Sequence, residues 1–246
     1  LPPLANAQRQ PTAAPVGWQT RLDAAVVHED DALLVINKPS GIAVHGGSGL
    51  KFGLIETLRE MRPRARFLEL AHRLDRETSG LLLVAKRPAA LKELHELLRR
   101  DGGVDKRYLA LVAGRWPRHL LTVDAPLERY TRRSGERMVR VAAGGKPSVT
   151  HFRLRETHAA ATLIEARPVT GRTHQIRVHA AHSGYPLLGD DKYASDLSRA
   201  ATAACDLRRL FLHAASLRFR LGERDYVFEA PLDTELTTVL ERLSRS

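Results

Sequence analysis

The sequence predicts an α+β fold built on a largely antiparallel sheet. Three observations lead there: strand-length apolar runs, turn signals crowded through 115–168, and only a few stretches with helical spacing. Leu33-Leu34-Val35-Ile36 reads as a buried strand ending at Lys38-Pro39. Residues 41–53 form a glycine-rich loop, and Leu54, Ile55, Leu58 and Met61 then recur at helical spacing until Pro63. Phe67–Leu70 and Leu81–Ala85 read as strands. Pro88 opens a helix at the one turn that tolerates proline, with Leu91, Leu94, Leu97 and Leu98 on one face. Arg107–Val112 is a further strand. Gly102-Gly103, Ser134-Gly135 and Gly144-Gly145 mark turns, so the middle of the chain reads as hairpins. Residues 172–183 alternate like a strand over Gln175–His179, yet Thr173 can cap a helix running to Ser183-Gly184, and a helix is expected. Leu210–Phe219 and Tyr226–Ala230 are strands, and Asp233 caps a last helix with Leu236, Val239, Leu240 and Leu243 on one side.

Composition narrows the function classes. The chain has 246 residues, 43% of them hydrophobic and 27% charged, enough to bury a core without covalent staples. A single cysteine, Cys205, excludes an internal disulfide framework and a cysteine-based zinc finger. There is no run of 18 apolar residues and no signal-peptide pattern, so the expectation is a cytoplasmic protein with no membrane role. Pro2, Pro3, Pro11 and Pro15 crowd the first twenty residues, which read as a linker, and 21–246 as one domain. Lys plus Arg total 39 against 28 Asp plus Glu, a net charge of +11. Arginine outnumbers lysine 32 to 7, which suits phosphate forks and base stacking as well as GC-rich codon usage.

Three clusters are candidates for chemistry. His72-Arg73-Leu74-Asp75-Arg76-Glu77 places five ionisable groups in six residues between two apolar runs. Arg73 and Arg76 flanking Asp75 would favour its charged form, as a nucleophilic carboxylate requires, or the segment is a solvated loop with local ion pairs. The run Gly171–His179 carries Arg172, His174, Gln175, Arg177 and His179, a set suited to anion recognition or to supporting a carboxylate. His174, His179 and His182 lack the HExxH spacing of a zinc site, so no metal is expected. Lys106-Arg107-Tyr108 either pairs a stacking ring with phosphate-binding cations or turns the ring to the core. The loop His45–Gly49 can cradle a phosphate but is neither a Walker loop nor GxGxxG, so no nucleotide cofactor is expected.

In chain order, Ile36-Asn37-Lys38-Pro39-Ser40-Gly41, Val44–Gly49, His72-Arg73-Leu74-Asp75 with Thr78-Ser79-Gly80, Lys106-Arg107-Tyr108, Gly171–His179 and Arg209–Ala214 resemble the RluA family of RNA pseudouridine synthases. The likeness spans about residues 30–232 and is strongest to the branch that modifies large-subunit ribosomal RNA. It implies a mixed, mainly antiparallel sheet flanked by helices and loops, a ribosomal RNA partner and no cofactor; a monomer is the expected state. Asp75 matches the family's catalytic aspartate, Tyr108 the tyrosine that packs on the target base and serves as a candidate base, and Arg177 the arginine that pairs with the aspartate. Arg73 matches the residue that fills the gap left by the flipped uridine, and Ile176 and Leu212 match apolar positions that line the uracil pocket. Lys106, Arg107, Arg172 and His174 are the accompanying RNA-binding candidates. Members of that branch carry an S4 RNA-binding domain joined by a linker, to which residues 1–20 correspond, leaving the S4 domain outside this sequence. Ala194 stands where a glycine is common. The competing readings are a non-catalytic RNA-binding assembly factor on the same fold and a glycoside hydrolase pairing Asp75 with Glu77.

Overall fold

The computed structural model describes residues 16–46 and 52–245. Most of the phosphate-cradle candidate at 45–49 and the first fifteen residues of the expected linker lie outside them. The linker does not extend to residue 20: Trp18–Asp23 forms helix α1, because Leu22 is fully buried against the core and Trp18 packs beside it.

A ten-stranded mixed sheet among the described residues organises the fold. Its main path runs β1 (Val26–Glu29), β2 (Leu33–Lys38), β4 (Ser79–Ala85), β11 (Leu212–Leu221), β5 (Val104–Ala113), β10 (Ala161–Pro168), β9 (Val149–Thr157) and β6 (Thr122–Asp124). Beside it, β3 (Glu69–Leu70) pairs with β4, and β12 (Arg224–Glu229) pairs with β11. Neighbours are antiparallel except β4 and β11, which run parallel through His213–Ser79 and Ala214–Gly80. The expected Phe67–Leu70 strand shrinks to two residues. A separate hairpin, β7 (Leu127–Thr131) with β8 (Arg137–Val141), turns at Ser134-Gly135 and stands off the main sheet.

The apolar runs at β2 and β4 follow from layering. Alternate residues Leu33, Val35, Leu81 and Leu83 pack toward α3 (Pro88–Arg99), while Leu34, Ile36, Leu82 and Val84 pack toward α1 and α2 (Leu54–Met61). Both faces are covered, so neither strand alternates with polar residues. Further along the sheet, Ala110 and Val112 of β5 and Ile164 of β10 meet α4 (Gln175–His182). Leu111 and Leu163 face α5 (Asp196–Ala204) and α6 (Thr234–Ser244). Asp233 caps α6 through the Leu236 N–H, as its sequence suggests. The ambiguous segment is the helix α4, but Thr173 does not cap it; His174 occupies that position in the left-handed region at φ 54.

Candidate active site

Asp75 sits in the loop 71–78 between β3 and β4. Leu74 anchors the loop in the core, 5% exposed. The Thr78 N–H donates to the Asp75 carbonyl at 3.1 Å and tightens the turn. Gly80 then lets β4 approach β11: its φ is +106, and a Cβ there would lie 2.3 Å from the Ala214 carbonyl oxygen. Any other residue would push apart the parallel pair that carries the loop.

The segment Lys38–Ile42 clamps the same loop from the other side. The fully buried Lys38 Nζ donates to the carbonyls of Pro39, Ile42 and Arg76 at 3.0, 2.9 and 3.1 Å. Gly41 N–H also donates to the Arg76 carbonyl, and the Ser40 hydroxyl to that of Glu77. Burial pushes the Lys38 pKa down to about 7, while three carbonyls engage all three hydrogens of an ammonium. The Asn-Lys-Pro-Ser-Gly block is thus a brace for the Asp75 loop.

Arg73 and Arg76 do not supply the cation that their sequence position suggests. Arg73 is exposed, and Arg76 bonds the Gly41 carbonyl and pairs with Glu77. The cation near Asp75 comes from 102 residues downstream: Arg177 Nη1 lies 3.5 Å from Asp75 Oδ2. His174 Nε2 approaches the same oxygen at 3.7 Å. The Asp75 side chain is 21% exposed, open to a ligand yet held from behind.

Arg177 itself is fixed by a residue that sequence reasoning passed over. Its Nε and Nη2 form a two-point fork with Asp190, at 2.8 and 2.7 Å. Asp190 Oδ1 also accepts from the Lys192 and Tyr193 backbone N–H groups. Gly189 makes this turn: at φ +71, a Cβ would fall 1.9 Å from the Arg209 carbonyl oxygen. Tyr193 lies under the Arg177 guanidinium, 5.3 Å from ring centroid to Cζ, and its hydroxyl meets His174 Nδ1 at 2.8 Å. The run Gly189–Tyr193, just after a helix carrying two candidates, was the available signal.

Above these groups opens a cavity of about 510 Å³. It is lined by Asp75, Arg177, Tyr108, Ile176 and Leu212, with Arg73, Lys106, Arg129, Arg172 and His174 around them. Nine of the ten predicted site residues therefore converge on one hollow. Arg107 is the exception. Period-two alternation along β5 turns Lys106 and Tyr108 to the cavity and Arg107 to the opposite face, where it pairs with Asp105 and Glu165. Burial, with Asp75 nearby, pushes the Tyr108 hydroxyl pKa well above its ordinary value. Burial likewise lowers that of His174.

Residues 32–182 match the model of a family described as RNA pseudouridylate synthase. The chain belongs to that family. This synthase is 52% identical over 252 residues to ribosomal large subunit pseudouridine synthase C of Salmonella typhi, across 99% of the chain and 78% of that protein. Its likeness to the protein of the same name from Escherichia coli (strain K12) is also 52%, over 249 residues and with the same coverage. Among solved structures, human RNA pseudouridylate synthase domain containing 4 superposes with a TM-score of 0.74 at 28% identity. That match covers 92% of the synthase and 95% of the human chain. The α+β fold and the resemblance read from the motifs both hold.

Proposed function

We propose that the synthase isomerises uridines of large-subunit ribosomal RNA, taking each target base out of its stack into the cavity and using Asp75 as the reacting carboxylate. The observation that carries this reading is the partly open Asp75 carboxylate, faced by a buried Arg177 at 3.5 Å beneath a nucleotide-sized hollow. The relatives' names supply the RNA class, and with it a cytoplasmic place of work.

The reaction breaks N1–C1′, turns the uracil, joins C5 to C1′, and moves the C5 proton away as N1 gains one. Atoms balance within the substrate. The carboxylate either adds to C1′ or stabilises the developing sugar cation, and both roles need one aimed oxygen. Arg177 and His174 both approach Oδ2, which leaves Oδ1 for the sugar. Ile176 and Leu212 supply apolar walls for the uracil, and Tyr108 a ring face. The raised Tyr108 pKa favours a protonated hydroxyl, so its contribution is contact with the base rather than proton abstraction as a phenolate. Extruding a base costs a few kcal/mol, and ring contact with Tyr108 returns about 1–3 kcal/mol of it. Exposed Arg73 at the rim fills the vacated stack, Arg129 and Arg172 meet phosphates, and the buried Lys106 lines the cavity wall.

The test is incubation with large-subunit ribosomal RNA transcribed without modifications, followed by chemical mapping of pseudouridine. Discrete new sites with no change in RNA mass are expected. Tight binding without product would favour an assembly factor, and release of free uracil would favour a hydrolase.

A further inference from the structure

His174 occupies a costly position. A non-glycine residue at φ 54 persists only where its surroundings hold it, and here one ring nitrogen is hydrogen-bonded while the other faces the acid. Nδ1 lies 2.8 Å from the Tyr193 hydroxyl, and Nε2 lies 3.7 Å from Asp75 Oδ2. The Tyr193 oxygen already accepts the Val139 N–H of β8 at 3.1 Å. Among the described residues the acceptor within reach of its own proton is His174 Nδ1. That assignment puts the imidazole hydrogen on Nε2, pointing at the carboxylate. The opposite tautomer would aim a lone pair at the same oxygen.

We infer that His174 serves the isomerisation as a neutral hydrogen-bond donor to Asp75, with its tautomer set by the Tyr193 hydroxyl, so that Tyr193 is a positioning residue. The inference rests on Asp75 being the reacting carboxylate. Tyr193 then orients both groups that hold Asp75 Oδ2: its hydroxyl sets His174, and its ring face supports Arg177. Around the imidazole lie Asp75 on its loop, Arg177 on α4, Asp190 and Lys192 on the following turn, and Glu136 on the hairpin. Burial, with Arg177 and Lys192, keeps the ring neutral against the pull of the acids. At 3.7 Å the approach is too long for a hydrogen bond, so the donor role requires it to shorten when a nucleotide fills the cavity.

Nitrogen-15 NMR of the wild-type histidine rings reads the tautomer directly and needs no variant. Nε2–H is expected at His174; Nδ1–H or a doubly protonated ring at neutral pH would overturn the inference. Tyr193→Phe keeps the ring under Arg177 and removes only the hydroxyl. It is expected to lower single-turnover rate roughly 10- to 100-fold, with KM for RNA within about twofold, as expected for a misaimed group. His174→Gln should outperform His174→Ala, and Tyr193→Phe should cost nothing further in the His174→Ala background. A wild-type rate in Tyr193→Phe, or independent losses in the double variant, would overturn it. If Asp75→Asn is inactive while these variants are unaffected, only this inference falls; if Asp75→Asn is fully active, the assignment of the acid falls and takes this inference with it.

Discussion

Arg177 and Asp190 form a buried two-point ion pair, with N–O distances of 2.8 and 2.7 Å and side-chain exposures of 6% and 0%. Only Nη1 of the guanidinium is left for Asp75, at 3.5 Å. Asp190 therefore sets where the positive charge points. Removing it leaves a buried cation with one acidic neighbour, and breaking such a pair costs about 3–5 kcal/mol. Asp190→Asn is expected to lower the melting temperature by roughly 6–20 °C for a chain of this size. It should also lower the single-turnover rate more than RNA affinity. Scanning calorimetry and rapid-quench assays check both, and an unchanged melt would contradict the reading.

Tyr108 separates two roles for its ring. Burial and Asp75 raise its hydroxyl pKa, which favours the protonated phenol. Tyr108→Phe is expected to stay within about tenfold of the wild-type rate, whereas Tyr108→Ala, which removes about 1–3 kcal/mol of base contact, loses far more. A Phe variant as inactive as the Ala variant would return the hydroxyl to the chemistry.

His72 makes stability depend on pH. Burial, reinforced by Lys106, lowers its pKa to about 4, and its Nε2 accepts the Leu83 N–H. The unfolded chain binds this proton below its ordinary value near 6.5, and the folded chain does not until about pH 4. Stability therefore falls as pH drops through that window, by up to about 1 kcal/mol per pH unit for one such group. His174, His179 and His213, also lowered by burial, act in the same direction. Urea unfolding at pH 7 and pH 5 is expected to show a lower midpoint at pH 5, with the gap reduced in His72→Asn. Equal midpoints would contradict this.

What the sequence made legible follows physical lines. The runs of β2 and β4 stand out because helices cover both faces, and Pro88 and Asp233 mark helix starts by local rules that tertiary context left intact. Residues 175–180 are all buried, so the helix there shows no polar face to distinguish it from a strand. Asp75, Tyr108 and Arg177 were readable through a family resemblance; that they meet at one cavity is tertiary. Asp190 and Tyr193 were missed although they lie only 13 and 19 residues past Arg177 and His174, because the turn that Gly189 permits, and not a sequence period, folds them back onto the helix. Arg107 was misplaced by adjacency, although strand alternation already put it opposite Tyr108.

The most direct measurement is the single-turnover rate of Asp75→Asn on unmodified large-subunit ribosomal RNA, with binding measured in parallel. The expected result is RNA affinity within a few-fold of wild type and a rate lower by several powers of ten, as for the loss of one member of a catalytic unit. Pseudouridine formed by Asp75→Asn at the wild-type rate would contradict the role given to this carboxylate.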